Sequence, residues 1–367
     1  MAKKETNPFE IDFDSYIRQG EPDKKEKGIV WAIATGLQQV DGLTPSKYLY
    51  QTAKRNIEGE ITIDDAKKLI DSYYESKAVR TDNDEDTEEA DKVSARITEL
   101  LSEKAFTFSP DQLLSIHERL FKGVFKKVRA GKFRDYNITK KEWALDGDTV
   151  LYANADLISE TLKYDFETEK KFDYSKLTPQ ESIKHLTRFI ANIWQTHPFG
   201  EGNTRTTAVF TIKYLKSLGL DINNEPFEKH SWYFRNALVR ANYTNMPKGI
   251  YMTTEYLERF FRNLLLGEHN ELKNRYTHIR YDENIERLGE KEKSSEKKFG
   301  EKEKSSEKTS GKILSFLKEN PKLSAKELAK LIGITSRAVE KQISSLKKEG
   351  RIKRMGSPKG GCWVVLE

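Results

Sequence analysis

His197-Pro-Phe-Gly-Glu-Gly-Asn-Thr-Arg-Thr206 decides how this chain of 367 residues is read. The segments on either side of it both have helical spacing. Upstream, Thr178-Pro179 supplies an N-cap and a proline for the first helical position. Ile183, Leu186, Phe189, Ile190, Ile193 and Trp194 then recur on one face. Downstream, Val209, Phe210, Ile212, Leu215 and Leu218 form a second stripe that Gly219 stops. The decapeptide is therefore a tight loop whose far end becomes a helix N-terminus.

That arrangement carries chemistry. Glycines let backbone N–H groups approach a ligand closely, and the first turn of a helix leaves its N–H groups unpaired. Together they make a phosphate site. Asn203 and Arg205 add side-chain donors, the arginine through a charge-assisted contact. Glu201 is a hard oxygen ligand of the kind that holds magnesium on phosphates. His197 titrates near working pH and is the natural general base. Base, metal ligand and phosphate cradle in one loop describe phosphoryl or nucleotidyl transfer.

The segment resembles the Fic (filamentation induced by cAMP) motif, His-Pro-Phe-x-Asp/Glu-Gly-Asn-x-Arg. Arg129-Ala-Gly-Lys-Phe-Arg134 with Asn137-Ile138 is similar to the family's entry segment. Asp148-Thr-Val-Leu-Tyr-Ala-Asn154 stands where Fic proteins carry a β-hairpin flap that holds the target. The resemblance spans roughly residues 95 to 266. It implies transfer of AMP from ATP, with magnesium, to a protein hydroxyl. His197 would deprotonate the acceptor, Glu201 would hold the metal, and the nucleotide would meet Gly200, Gly202, Asn203, Thr204 and Arg205. Phe199 would lock the loop into the core. Thr149, Val150, Leu151 and Tyr152 would form the docking flap. Tyr233 and Asn236, on a later helix, would touch the nucleoside, although core packing explains that helix equally well.

Two positions depart from the family pattern. Thr204 stands where glycine is common, and Ala208 stands where many members carry a second arginine. The donor is therefore ATP or another phosphate diester, and Arg240 is a speculative substitute for the absent charge. Lys54-Arg-Asn-Ile-Glu58-Gly59 resembles the family's inhibitory helix, which makes Glu58 a candidate brake. A lysine replaces the usual Ser/Thr, and the alternative is an amphipathic helix packed on the core.

The rest of the chain sets the context. One residue in three is charged (33%), and no apolar run approaches the roughly 18 residues of a membrane span. No signal peptide is expected at the start, so a cytoplasmic, non-membrane protein is expected. The lone Cys362 cannot form an internal disulfide and reads as a small core residue. Gly289-Glu-Lys-Glu-Lys-Ser-Ser-Glu-Lys297 recurs as Gly300 to Lys308, a composition that cannot bury a core and reads as a flexible tether. Beyond it, three helical stripes and a hairpin resemble a winged helix-turn-helix. Leu328, Leu331, Ile332, Ala338, Val339, Ile343 and Leu346 are expected inside, with Ser324 and Thr335 as caps.

Residues 312–367 hold 13 basic and five acidic side chains, against a net charge of +6 for the whole chain. Ser336, Arg337, Glu340, Lys341, Arg351, Lys353, Arg354 and Lys359 would face DNA phosphates, the alternative being a protein-binding winged helix. His117, His185, His230, His269 and His278 lack metal-ligand spacing and are expected to be structural. Asp82 to Asp91 reads as a solvated acidic loop.

The expected architecture is mainly α: an N-terminal helical region (1–90) with the inhibitory helix, a Fic core with a small hairpin flap (91–281), a charged linker (282–311) and a winged helix (312–367). Expected partners are a protein substrate or the protein itself, DNA, and a second copy as a homodimer. The rival reading is a DNA-binding regulator whose core senses nucleotide without turnover.

Overall fold

A computed structural model describes residues 13–76, 82–126, 128–281, 310–332, 335–355 and 362–366, and the side chains of all of these except Gln19, Asp82, Asn83 and Arg337. The charged repeats, Gly333, Lys359 and the turn at 356–361 lie outside them. The chain divides into two units at Tyr281.

In the first unit, α1 (Phe13–Gln19) and α2 (Pro22–Gly36) pack together, and α2 runs on through a 3-10 turn at Leu37–Asp41. Helices α3 (Lys47–Ile57) and α4 (Ile63–Glu75) follow, α4 opened by a Thr62/Asp65 capping box. Helix α5 (Asp82–Ser102) receives α2 on its side. Then come α6 (Pro110–Phe121), α7 (Ile158–Lys170), α8 (Pro179–Thr196), α9 (Asn203–Ser217), α10 (Glu225–Lys229), α11 (Ser231–Ala241), α12 (Glu255–Leu266) and α13 (Asn274–Thr277). One apolar core joins Val30, Ile33 and Leu37 of the N-terminal region to Ile190, Ile193, Val209 and Phe210 of α8 and α9. Gly36 lies so close to the Glu228 backbone that a β-carbon would overlap it. Ser231 Oγ also donates to the Gly36 carbonyl. This close approach fixes where the Leu37–Asp41 turn points.

Three expectations change here. The acidic stretch from Asp82 is the start of α5, not a loop, because carboxylates at a helix N-terminus are favoured by its dipole. Asp91 is buried there and accepts from Ser46 N–H (2.8 Å) and Tyr74 Oη (2.7 Å). Helix α5 also runs unbroken through the division placed at residue 90. The 148–154 segment is extended but pairs with no strand among the described residues, so the hairpin flap is a loop. Its neighbour at 143–145 is a 3-10 turn, so the two sides meet through a few bonds rather than a ladder: Glu142 N–H to Asp148 O (2.9 Å), Gly147 N–H to Glu142 O (3.0 Å) and Lys140 N–H to Thr149 Oγ1 (3.1 Å). The third change is at the end of α9, where Leu218 is exposed rather than buried.

In the second unit, a helix over 310–319 (α14), α15 (Ala325–Ile332) and α16 (Ser336–Lys348) precede an antiparallel pair, β1 (Ile352–Met355) and β2 (Cys362–Val365), in which Ile352 faces Val365 and Arg354 faces Trp363. Leu314, Leu317, Leu328, Val339, Leu346, Ile352 and Trp363 form its core. Leu331 and Ala338 were expected inside and are exposed. Arg354, expected to face DNA, lies over the Trp363 ring at 5.0 Å.

Candidate functional site

Helix α8 ends at Thr196, and His197 caps it in the left-handed region (φ 46°). A residue other than glycine is uncommon in that conformation, and one side chain with four hydrogen bonds to the carbonyls of this and neighbouring residues braces it. Arg134 donates from Nε to the His197 carbonyl (2.8 Å) and from its Nη atoms to the carbonyls of Tyr136, Ala153 and Thr196, while its own N–H donates to Pro198 O. The entry segment thus acts as a clasp on carbonyls rather than on ligand.

The imidazole of His197 is 3% exposed. Nδ1 lies 3.2 Å from Trp194 O, an acceptor, which assigns the proton to Nδ1 and leaves the Nε2 lone pair available. Tyr152 packs on the ring at 4.2 Å and Trp194 meets it edge-on. Burial, and then the nearby Lys140 charge, hold its pKa well below the usual histidine value. The neutral, proton-accepting form is therefore the resting form at neutral pH.

His117 from α6 supports the far side of the loop. Nε2 donates to Glu201 O (3.0 Å), Nδ1 accepts from Gly131 N–H (2.9 Å), and the ring stacks on Phe199 at 3.7 Å. Burial lowers its pKa to about 4. Asn203 closes the turn, accepting from Phe199 N–H and donating to Phe199 O, so its amide is engaged within the loop. Thr204 Oγ1 accepts from Trp194 Nε1. Gly200 lies against Tyr136 Oη. Gly202, at φ 76°, has the Phe121 ring where a β-carbon would stand. Helix α9 starts at Asn203, which leaves the N–H groups of its first turn without intrahelical acceptors.

Arg205 is not open to a ligand. It is 1% exposed, lies over the Phe121 ring and donates to Gln38 Oε1 (3.0 Å). Its charge is met by Glu89 (2.5 Å) and Asp41 (3.0 Å). Asp41 also pairs with Arg235 (3.0 Å), and Arg235 pairs with the buried Glu142 (3.2 Å). Glu142 in turn accepts from Tyr152 Oη (3.1 Å), which returns the network to His197. None of Asp41, Glu89, Glu142 or Arg235 was singled out from the sequence. They come from elements far apart in the chain, and no local spacing marks them.

Glu201 is half-exposed and salt-bridged to Lys140 at 2.8 Å. Among the described residues no three His, Cys, Asp or Glu side chains gather as a metal site. A single half-exposed carboxylate, which Lys140 would have to release, suits magnesium that keeps waters and arrives on phosphates. Tyr233 is fully buried. Asn236 Nδ2 donates to Asn274, and Arg240 reaches Thr277 O and Tyr256, so none of these three meets the loop. Ala208 is fully buried in the core. Glu58, the candidate brake, caps α3 and binds Tyr16 Oη (2.6 Å) and Lys24 (3.0 Å) of the N-terminal helices. The carboxylates that meet the loop's arginine are Glu89 and Asp41.

His185 accepts a structural role between Glu169 and Phe172, as expected. No helix among the described residues is long and apolar enough to cross a membrane.

A family model described as Fic/DOC family matches residues 107–215, and one described as winged helix-turn-helix DNA-binding matches residues 306–353. No curated protein matches the chain. A solved structure of a Fic family protein from Desulfovibrio desulfuricans G20 aligns over 96% of this chain and 90% of its own, with a TM-score of 0.42 and 11% identity.

Proposed function

We propose, from a Fic/DOC family domain at residues 107–215 and a winged helix-turn-helix at 306–353, that this protein moves AMP from ATP to a hydroxyl of a protein. Fic domains generally transfer nucleotide-derived groups onto proteins. The observation that carries the reading is the buried, neutral His197, with Nδ1 tied to Trp194 and Nε2 free, at the glycine turn that opens α9. Nε2 takes the acceptor's proton as the hydroxyl oxygen attacks the α-phosphorus and pyrophosphate leaves. The first-turn N–H groups of α9 hold phosphate oxygens in a site from which water is largely excluded. Glu201 would hold magnesium that arrives with the phosphates, and the ion would supply neutralisation of their charge.

Arg205 makes the described state a closed one. A guanidinium paired with two carboxylates offers little to an anion, so phosphate binding at Arg205 requires Asp41 or Glu89 to give it up. The test uses purified protein, magnesium and α-labelled ATP, with cell lysate as acceptor. Label on protein that rises in Glu89→Gln or Asp41→Asn and vanishes in His197→Ala supports the reading. Glu58→Gly is expected to match wild type, because Glu58 binds α1 and α2 instead. Label that survives His197→Ala, or none in any variant, overturns it.

The clamped Arg205 and the buried Ala208 favour one second reading, a DNA-binding regulator with a nucleotide-sensing core. Salt-sensitive retention on DNA without label transfer is its signature.

A further inference from the structure

Beside the extended 148–154 segment lies a cavity of about 380 Å³. Leu151 and Tyr152 wall one side, Thr161 and Asp165 of α7 another, and Asn192 and Gln195 of α8 the third. It sits one residue from the base, since Thr196 also lines it and Tyr152 packs on the His197 ring. Gln195 Nε2 donates to the Leu151 carbonyl (3.1 Å), fixing the segment to α8, and the Leu151 side chain is 83% exposed at the rim. The volume is at the low end of ligand clefts, roughly 300–1,000 Å³, and suits one long side chain rather than a whole small molecule.

Asp165 is unlike the other sequestered carboxylates of this unit. Glu89 and Glu142 each meet an arginine, Glu169 meets His185 and two tyrosines, Asp91 meets Ser46 and Tyr74, and Glu228 has the Asn224 amide with the Lys229 charge beside it. Asp165 has the Asn192 amide, and among the described residues no cationic side chain bears on its charge. Burial pushes its carboxyl up to about 6. A carboxylate drawn out of water with a single amide partner is an incomplete ion pair.

We propose that Asp165 is a specificity-determining residue that binds a lysine or arginine of the acceptor polypeptide, near the modified hydroxyl, while that polypeptide lies along residues 148–154. This rests on the transfer reading above. An extended segment laid on an unpaired edge gains backbone hydrogen bonds of no sequence preference, and its alternate side chains enter flanking pockets. The cavity is such a pocket, and its chemistry chooses a cation. A charge-assisted contact there corresponds to about tenfold to a hundredfold in kcat/KM.

The test uses the full-length protein with magnesium and labelled ATP. Acceptors are short peptides with one hydroxyl residue and Lys, Arg, Gln or Glu at each neighbouring position. Wild type is expected to favour Lys or Arg at one position by that factor. Asp165→Asn, which keeps the shape, is expected to lose the preference, and Asp165→Lys to turn it toward Glu. Equal labelling of all four peptides by wild type overturns the proposal and leaves transfer intact. If no peptide is labelled, the transfer reading is the one in difficulty. Fluorescence anisotropy with the Lys and Glu peptides then decides this one: tighter binding of the Lys peptide that Asp165→Asn abolishes upholds it, and equal or no binding overturns it.

Discussion

Replacing His117 with phenylalanine tests how the loop is held. The ring stack on Phe199 survives, but Glu201 O loses its donor and Gly131 N–H loses its acceptor, both in part-buried bonds. An unmet group costs about 1–3 kcal/mol when buried, and with water able to reach these two the low end applies, so the variant should be about 2 kcal/mol less stable at pH 7. Acid should narrow that gap. The folded protein keeps His117 neutral down to about pH 4, whereas an unfolded histidine takes up its proton near pH 6.5 (a value of about 6.5 is ordinary). Between those values the unfolded chain binds the extra proton, so wild type loses stability as pH falls, by about 1.4 kcal/mol per unit. Phenylalanine carries no such liability, so by pH 4.5 the deficit of His117→Phe should shrink by about 2–3 kcal/mol.

The assay is urea unfolding followed by tryptophan fluorescence at several pH values, in a Trp363→Phe background. The remaining tryptophans, Trp31, Trp143, Trp194 and Trp232, all belong to the first unit, so the second unit is silent. Other titrating groups contribute equally to both proteins and cancel in the difference. Parallel pH profiles would refute the reasoning, because they would mean His117 is free to charge in the fold.

Three further outcomes are expected. Arg134→Ala removes the donor to four carbonyls and should cost at least about 3 kcal/mol by calorimetry, with little rescue by lysine, whose single ammonium cannot span the same acceptors. Gly202→Ala, at positive φ and against the Phe121 ring, should abolish nucleotide binding in titration calorimetry while leaving the second unit folded. Lys341→Ala, on the exposed face of α16, should lower the salt slope of DNA retention by about one if that face meets phosphates, and leave it unchanged if the unit binds protein.

What the sequence made legible was local. The caps and stripes of α8 and α9 depend on residues within a few turns of each other, and they stand where Thr178, Pro179 and Gly219 put them. Phe199 also packs as the motif implied. Partners set by long-range packing were not legible. Glu89 reaches Arg205 across 116 residues and Asp91 reaches Ser46 across 45, so an acidic run that looks solvated in one dimension is partly buried in three. The flap had strand-forming residues at Thr149 to Tyr152, but a strand exists only with a neighbour, and the 143–145 turn takes the neighbouring chain away. Glu58 sat in the expected string; its direction was decided by Tyr16 and Lys24, from helices that no motif described.

The contact of Gly36 with Glu228, together with the shared core through Val30, Ile33 and Leu37, has a practical meaning for modularity. The N-terminal helices are not a detachable lid. Cutting them away would strip apolar cover from α5 and from the helix that carries Arg205, and an insoluble remainder would say nothing about regulation. Control of Arg205 in this protein therefore has to run through small rearrangements of side chains at Asp41 and Glu89, with the scaffold that bears them left in place.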